Sequence, residues 1–252
     1  MCQEKLKKQL LYRFFCKMNR IKQHFAVIVI AMMIWEAAGC QRCGYAAAEI
    51  VIDAGGTDTG ACGSEGICEK NILLNLARRL ESELFQKGYG VKLTRTGDVS
   101  PDIYDRSGCP NRRRADIFVS LHVGGSFTHL PGAVTIFYFD RKTESVSEHA
   151  GFDNKSREMM LWDDLWYPHQ SESRRLAKMM QECLSGQIKS AEIRIRGAPI
   201  LIAEGADMPA VLIEIGSVSN PAQRKALQSR QGLSDIAKGI GKGIEAFFLQ
   251  KK

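Results

Sequence analysis

The sequence lacks an apolar run long enough to cross a membrane as a helix. Residues 25–35 form an apolar run that ends at Glu36, whereas a membrane span needs about 20 such residues. Internal repeats and long linkers are also missing. These absences argue against a membrane bundle or a repeat protein. They favour a single globular domain, for which 252 residues provide a sizeable core.

Residues 49–252 have almost no net charge. Residues 1–48 contain eight Lys or Arg and two Glu, so they account for +6 of the formal net charge of +7. The overall composition, 44% hydrophobic and 25% charged, is that of an ordinary globular protein. Nothing after the leader calls for a polyanion, and we expect no nucleic-acid partner.

Residues 1–48 are predicted to be a signal peptide or N-terminal leader, because a basic stretch precedes the short apolar run. Cleavage could follow the A-x-A site at residues 46–48. Alternatively, residues 37–40 resemble a lipoprotein box that would attach Cys40 to the membrane, or the leader could stay as an uncleaved anchor. Met18 would give a more typical start. Each alternative exports residues 49–252 to the periplasm or cell envelope.

Cysteines are few after the leader. Only Cys62, Cys68, Cys109 and Cys183 remain there. An oxidising compartment permits disulfides, and four cysteines allow three pairings. The sequence weakly favours Cys62 with Cys68, which share one loop, and four free thiols are the alternative.

Apolar runs alternate with amphipathic stretches along residues 49–252. Ile72, Leu76, Leu80 and Leu84 recur at helical spacing before Gly88. This alternation predicts a single α/β domain, with a mostly parallel twisted sheet and helices on both faces. The predicted strands cover residues 49–53, 90–95, 116–121, 132–139, 191–203 and 210–215; the predicted helices begin at 69, 171, 220 and 236, and a short helix closes at 112–115.

Residues 140–170 are predicted to be a surface insertion, since they are rich in polar residues yet contain Trp162, Trp166 and Tyr167. These rings could stack on sugars or plug a cleft. Alternatively, they could form a small satellite core.

Polar side chains lie where several predicted strands end. Asp53 ends the first strand, Asp58 lies in the following loop, Glu69 opens a helix, His122 follows the third strand and Glu214 interrupts a late apolar strand. Ligands gather at the carboxyl ends of strands in open α/β sheets. Each residue alone has an ordinary structural explanation, but Glu69, His122 and Glu214 together predict one crevice with donors that suit zinc.

Three separated motifs resemble the zinc-dependent N-acetylmuramoyl-L-alanine amidases, a family with a zinc carboxypeptidase-like architecture. The motifs are residues 50–55 with Glu69, residues 112–122 after Arg95, and residues 209–221. The resemblance implies that Glu69 and His122 are zinc ligands and that Glu214 is the catalytic carboxylate. It also implies peptidoglycan as the substrate and a zinc cofactor.

The chain departs from the family pattern at the first zinc ligand. The family usually reads Asp-x-Gly-His-Gly-Gly, but residues 53–58 read Asp-Ala-Gly-Gly-Thr-Asp, as though His-Gly were removed after Gly55. Asp53 could support the site or substitute for the missing ligand. The other possible substitutes are Asp58, Cys62, Cys68 and His129, and the two cysteines could serve only if they are not disulfide-bonded.

Two functions therefore stay open at the level of sequence. The first is a peptidoglycan hydrolase that cleaves the amide between N-acetylmuramic acid and L-alanine by zinc-activated water. The second is a degenerate amidase-like domain that binds peptidoglycan or regulates other cell-wall hydrolases. A related metal hydrolase with another substrate is a weaker third reading. We expect a monomer, with membrane attachment, if any, through the leader.

Overall fold

A computed structural model describes residues 48–55, 68–124, 132–140, 168–189 and 191–250. These residues belong to one compact unit, residues 47–252. The described strands and helices are β1 (Glu49–Ala54), α1 (Glu69–Gln86), β2 (Gly90–Leu93), α2 (Ile103–Arg113), β3 (Ile117–Gly124), β4 (Val134–Phe139), α3 (Gln170–Gln187), β5 (Ile193–Ala198), β6 (Ala210–Ser217), α4 (Pro221–Gln228) and α5 (Arg230–Leu249), with a 3-10 turn at Leu201–Ala203 between β5 and β6.

The six strands form one sheet in the order β2-β1-β3-β6-β4-β5. Strands β2, β1, β3 and β6 run parallel to one another. Strands β4 and β5 are parallel to each other, and β4 pairs antiparallel with β6. The carboxyl ends of β1, β3 and β6 therefore meet at one edge of the sheet, and β4 begins at that edge.

Side-chain alternation separates the two faces of the sheet. On β3, Ile117, Val119 and Leu121 enter the larger core, against α1, α3 and α5. Phe118 faces the opposite side, where a smaller core lies beneath α2 and the 3-10 turn. Ser120 and His122 follow Phe118 in the same alternation. The site residues on the strands therefore lie on the face of the sheet that packs against α2 and the 3-10 turn.

The predicted fold class is confirmed, since the sheet is mostly parallel with helices on both faces. The helix predicted to close at residues 112–115 spans Ile103–Arg113, so its predicted end is confirmed. One local prediction was wrong. The run 191–203 is a strand only to Ala198 and then makes the 3-10 turn. Within the described residues, no helix combines the length and apolarity needed to cross a membrane.

A fully buried carboxylate, Asp53, ties β1 to three other parts of the fold. Arg106 on α2 donates two hydrogen bonds to it, at 2.9 and 2.7 Å. The hydroxyls of Thr94 and Ser120 donate the other two, each at 2.7 Å. Burial alone would raise the pKa of Asp53, but these hydrogen bonds and the charge of Arg106 lower it below the usual 3.8.

We predict that Asp53→Asn lowers the free energy of unfolding by about 3–5 kcal/mol, because the change leaves the buried Arg106 guanidinium without a counter-charge. Urea denaturation at pH 7 measures the difference. The folded pKa of Asp53 is depressed, so its stabilisation is present above pH 3.8 and is lost as the pH falls through the folded pKa. The gap between wild type and variant should narrow over that acid range.

The matched control is Asp116→Asn. Asp116 is exposed and accepts one hydrogen bond, from the backbone N–H of Glu49. We expect it to cost about 1 kcal/mol. Equal losses in the two variants would contradict the central role of the buried carboxylate.

Candidate active site

Three side chains from separate parts of the chain converge at the carboxyl edge of the sheet. His122 on β3 and Glu214 on β6 are direct partners in the strand register. Glu69 opens α1, and its Oε1 lies 3.4 Å from Nδ1 of His122. The same carboxylate oxygen accepts a hydrogen bond from the backbone N–H of Val123 at 3.0 Å, which orients it toward β3.

The spacing of Glu69 and His122 suits two ligands of one zinc ion. Ligand atoms about 2.0–2.1 Å from a tetrahedral zinc lie roughly 3.3 Å from each other. The observed 3.4 Å is close to this value, and it is longer than an ordinary hydrogen bond of about 2.7–3.2 Å. A carboxylate and an imidazole are also donors that zinc accepts. The pair therefore fits the metal.

The described part of the chain does not complete a zinc site. Among those residues, no group of three or more His, Cys, Asp or Glu is placed to hold a metal ion. Cys68 is disulfide-bonded, so the condition under which it could serve as a substitute ligand, a free thiol, is not met. Asp58, Cys62 and His129 lie outside the described residues, as does the insertion with Trp162, Trp166 and Tyr167.

The state of the other described cysteines limits the possible disulfide partners of Cys68. Cys109 and Cys183 are free thiols, so neither is the partner of Cys68. That partner lies outside the described residues, and the pairing of Cys62 with Cys68 stays a prediction.

Glu214 has the electrostatics of a group that exchanges protons. It is half-buried, and burial raises its pKa above the usual 4.5. Glu69 raises the pKa further, while His122 and Arg196 oppose the rise. A carboxyl group whose pKa is raised toward neutrality can both accept and return a proton during a reaction.

Arg95 fixes the backbone on which the site rests. Its buried guanidinium donates to the carbonyl oxygens of Ala54 and Gly55 at 2.7 and 2.8 Å, and to that of Lys70 at 2.8 Å. It thereby connects the end of β1 to the first turn of α1. That turn carries Glu69, so Arg95 helps to set the position of this carboxylate.

Gly55 allows the close approach between the end of β1 and His122. Its N–H donates to the carbonyl of Leu121 at 3.0 Å. A Cβ at this position would lie 2.6 Å from both Cε1 and Nε2 of the His122 ring, and 2.5 Å from the Leu121 oxygen. A side chain here would push the imidazole out of place.

Gln223 on α4 holds the backbone beyond Glu214. Its Oε1 accepts from the N–H of Ser217 and of Gly132, and its Nε2 donates to the Gly132 carbonyl at 2.7 Å. These bonds join the end of β6 to the residues before β4. This role of Gln223 was not visible in the sequence, because a Gln on a helix surface gives no signal of it.

A sequence model described as N-acetylmuramoyl-L-alanine amidase matches residues 50–246. The chain belongs to this amidase family. Amidase AmiC of Neisseria meningitidis is 29% identical over 210 residues, which are 77% of this chain and 50% of the relative. Amidase AmiA of Salmonella typhimurium is 26% identical over 211 residues, 77% of this chain and 73% of the relative. This chain thus spans about half of the Neisseria protein.

Solved structures agree with the family assignment. The catalytic domain of the amidase CwlV from Bacillus (Paenibacillus) polymyxa superposes with a TM-score of 0.65 and 26% identity, over 81% of this chain and 99% of that domain. AmiC2 of Nostoc punctiforme, at 24% identity and the same TM-score, shows the shared fold. The family and its relatives support a peptidoglycan amidase function, that of a hydrolase of the cell wall.

Within this amidase fold, the structure brings Glu69, His122 and Glu214 together and keeps Asp53 apart from them. All four hydrogen bonds described for Asp53 come from Thr94, Arg106 and Ser120. The Asp53 carboxylate is fully buried and accepts four hydrogen bonds. It therefore stabilises the backbone at the end of β1 and has no lone pair left for a metal.

We predict that Gly55→Ala weakens zinc binding by about 10- to 100-fold, the range seen when groups that orient ligands are changed. The physical reason is the displacement of the His122 ring. Competition with a chelator measures the zinc affinity, and the NMR shifts of the imidazole report its displacement whether or not metal is bound.

The matched control is Gly186→Ala, because a Cβ at Gly186 meets nothing within 4 Å. This variant should bind zinc as the wild type does. Unchanged imidazole shifts in Gly55→Ala would show that the ring does not depend on Gly55.

Proposed function

We propose that the chain hydrolyses the amide between N-acetylmuramic acid and L-alanine in peptidoglycan, with Glu69 and His122 holding a zinc ion and Glu214 transferring the proton. The observation that carries the proposal is the convergence of these three groups in a chain whose residues 50–246 match the amidase family. We further propose that the protein acts as an exported monomer in the periplasm or cell envelope, after signal-peptide cleavage or lipid attachment.

A bound zinc ion supplies Lewis acidity, since it lowers the pKa of its water and polarises the scissile carbonyl. The protein's own groups do the rest. The Val123 N–H orients Glu69, and Gly55 leaves room for His122. Glu214, with its raised pKa, takes a proton from the attacking water and returns it to the nitrogen of the departing L-alanine.

The missing histidine makes the third zinc ligand the main question for this proposal. Residues 56–67 and 125–131 flank the site in sequence, and they contain Asp58, Cys62 and His129. The third ligand comes from these segments if the enzyme is active. If they supply none, the chain is a degenerate amidase that binds the wall.

We predict that the purified chain contains zinc and releases stem peptides from cell walls. Glu214→Gln should lower kcat by about 10²–10⁴-fold, the usual contribution of a general acid–base group, and leave zinc content and Tm unchanged. Glu204→Gln, an exposed carboxylate outside the site, is the control and should keep full activity.

A variant with His-Gly inserted between Gly55 and Gly56 separates the two functions. Zinc and turnover in the parent chain support the hydrolase. Zinc and turnover that appear only in the inserted variant, while the parent still binds sacculi, would replace the hydrolase with the degenerate binder.

A further inference from the structure

The face of the sheet that carries Glu214 continues onto the edge strand β5. Glu214 is paired with Thr135 on β4, and Thr135 is paired with Arg194 on β5. One row further along, Leu212 is paired with Phe137, and Phe137 with Arg196. Paired residues on neighbouring strands point to the same face, so both arginines share the face of Glu214.

Arg196 differs from Arg194 in its surroundings. Arg194 forms an ion pair with Glu192 at 2.5 Å. Arg196 is exposed, and no described residue forms an ion pair or hydrogen bond with it. Its strand position places it one row from Glu214 on the same face of the sheet. The face therefore presents a cation with spare donors to a molecule bound at Glu214.

We propose that Arg196 binds the free carboxylate of the stem residue that follows L-alanine, and so makes the site selective for an unamidated acidic residue at that position. This inference rests on the proposed amidase function. A guanidinium matches a carboxylate with two parallel hydrogen bonds. Phe137 and Leu212 share the row of Arg196, next to the row of Glu214. Both are apolar and partly buried, which suits the small methyl group of L-alanine.

Distances along sheet and substrate agree with this assignment. Two steps of about 4.7–4.9 Å separate β6 from β5, and Arg196 lies two residues along the strand from the row of Glu214, so the two Cα atoms lie roughly 12 Å apart. One extended residue advances about 3.3–3.6 Å, so the carboxylate on the second stem residue lies roughly 6–7 Å from the scissile nitrogen. An arginine side chain that leans across β4 covers the remaining distance.

The test compares two soluble disaccharide peptides that differ in one group. Their second stem residue is either D-isoglutamate, with a free carboxylate, or D-isoglutamine, its amide. We expect Arg196→Gln to lower kcat/KM for the carboxylate substrate by about 10- to 100-fold, the scale of a charged hydrogen-bonded pair. The amide substrate should change by less than about twofold, and Arg196→Lys should recover part of the loss.

Arg194→Gln is the matched control, because Arg194 lies two residues away on the same face and already has a partner. It should leave the preference between the two substrates unchanged. An equal loss on both substrates in Arg196→Gln, or no loss on either, would overturn the proposal.

Failure of the proposed function is distinguishable from failure of this inference. If the wild-type chain cleaves neither peptide, the amidase proposal fails. The role of Arg196 is then tested by binding alone: each of the two peptides is titrated into the protein, and NMR monitors the binding. Tighter binding of the carboxylate form that disappears in Arg196→Gln supports the inference, and equal binding of both forms to the wild type contradicts it.

Discussion

The buried carboxylate of Asp53 is the interaction on which the geometry of this fold depends. A carboxylate with no exposure to solvent is costly unless its charge and lone pairs are satisfied. Here Arg106, Thr94 and Ser120 satisfy them from α2, from the residue after β2 and from β3. Because these partners come from separate parts of the chain, the network forms only when the sheet edge and its covering helix are in place.

The site is built one step beyond that network. Ala54 and Gly55 follow Asp53, and Arg95 binds both of their carbonyls and that of Lys70. Burial lowers the pKa of the Arg95 guanidinium, and its carbonyl partners compensate for lost water. The end of β1 and the first turn of α1 are thus fixed relative to each other. Glu69 and His122 inherit their 3.4 Å spacing from this rigid backbone.

Sequence reasoning found the fold class and the three converging groups because both depend on local signals. Strand ends and a helix start are visible as changes of period, and parallel strands bring their carboxyl ends to one edge. The partner of Asp53 was not visible, since Arg106 lies 53 residues away, in a helix whose pattern Gly108 and Pro110 interrupt. The reversed direction of β4 and β5 was not visible either, because an apolar run carries no direction. Arg196 shares a face of the sheet with Glu214 only because of the direction of β4 and β5 and their register with β6.

The charges at the site bear on whether a cation belongs there. Glu69 is buried, Glu214 is half-buried, and the charge of Glu69 raises the pKa of Glu214. Two neighbouring carboxylates in a partly desolvated crevice disfavour each other's ionised form. The opposing effects of His122 and Arg196 leave the pKa of Glu214 raised. A divalent cation between Glu69 and His122 would offset the repulsion between the carboxylates of Glu69 and Glu214. This electrostatic argument supports the proposed metal-dependent hydrolase over the degenerate binder.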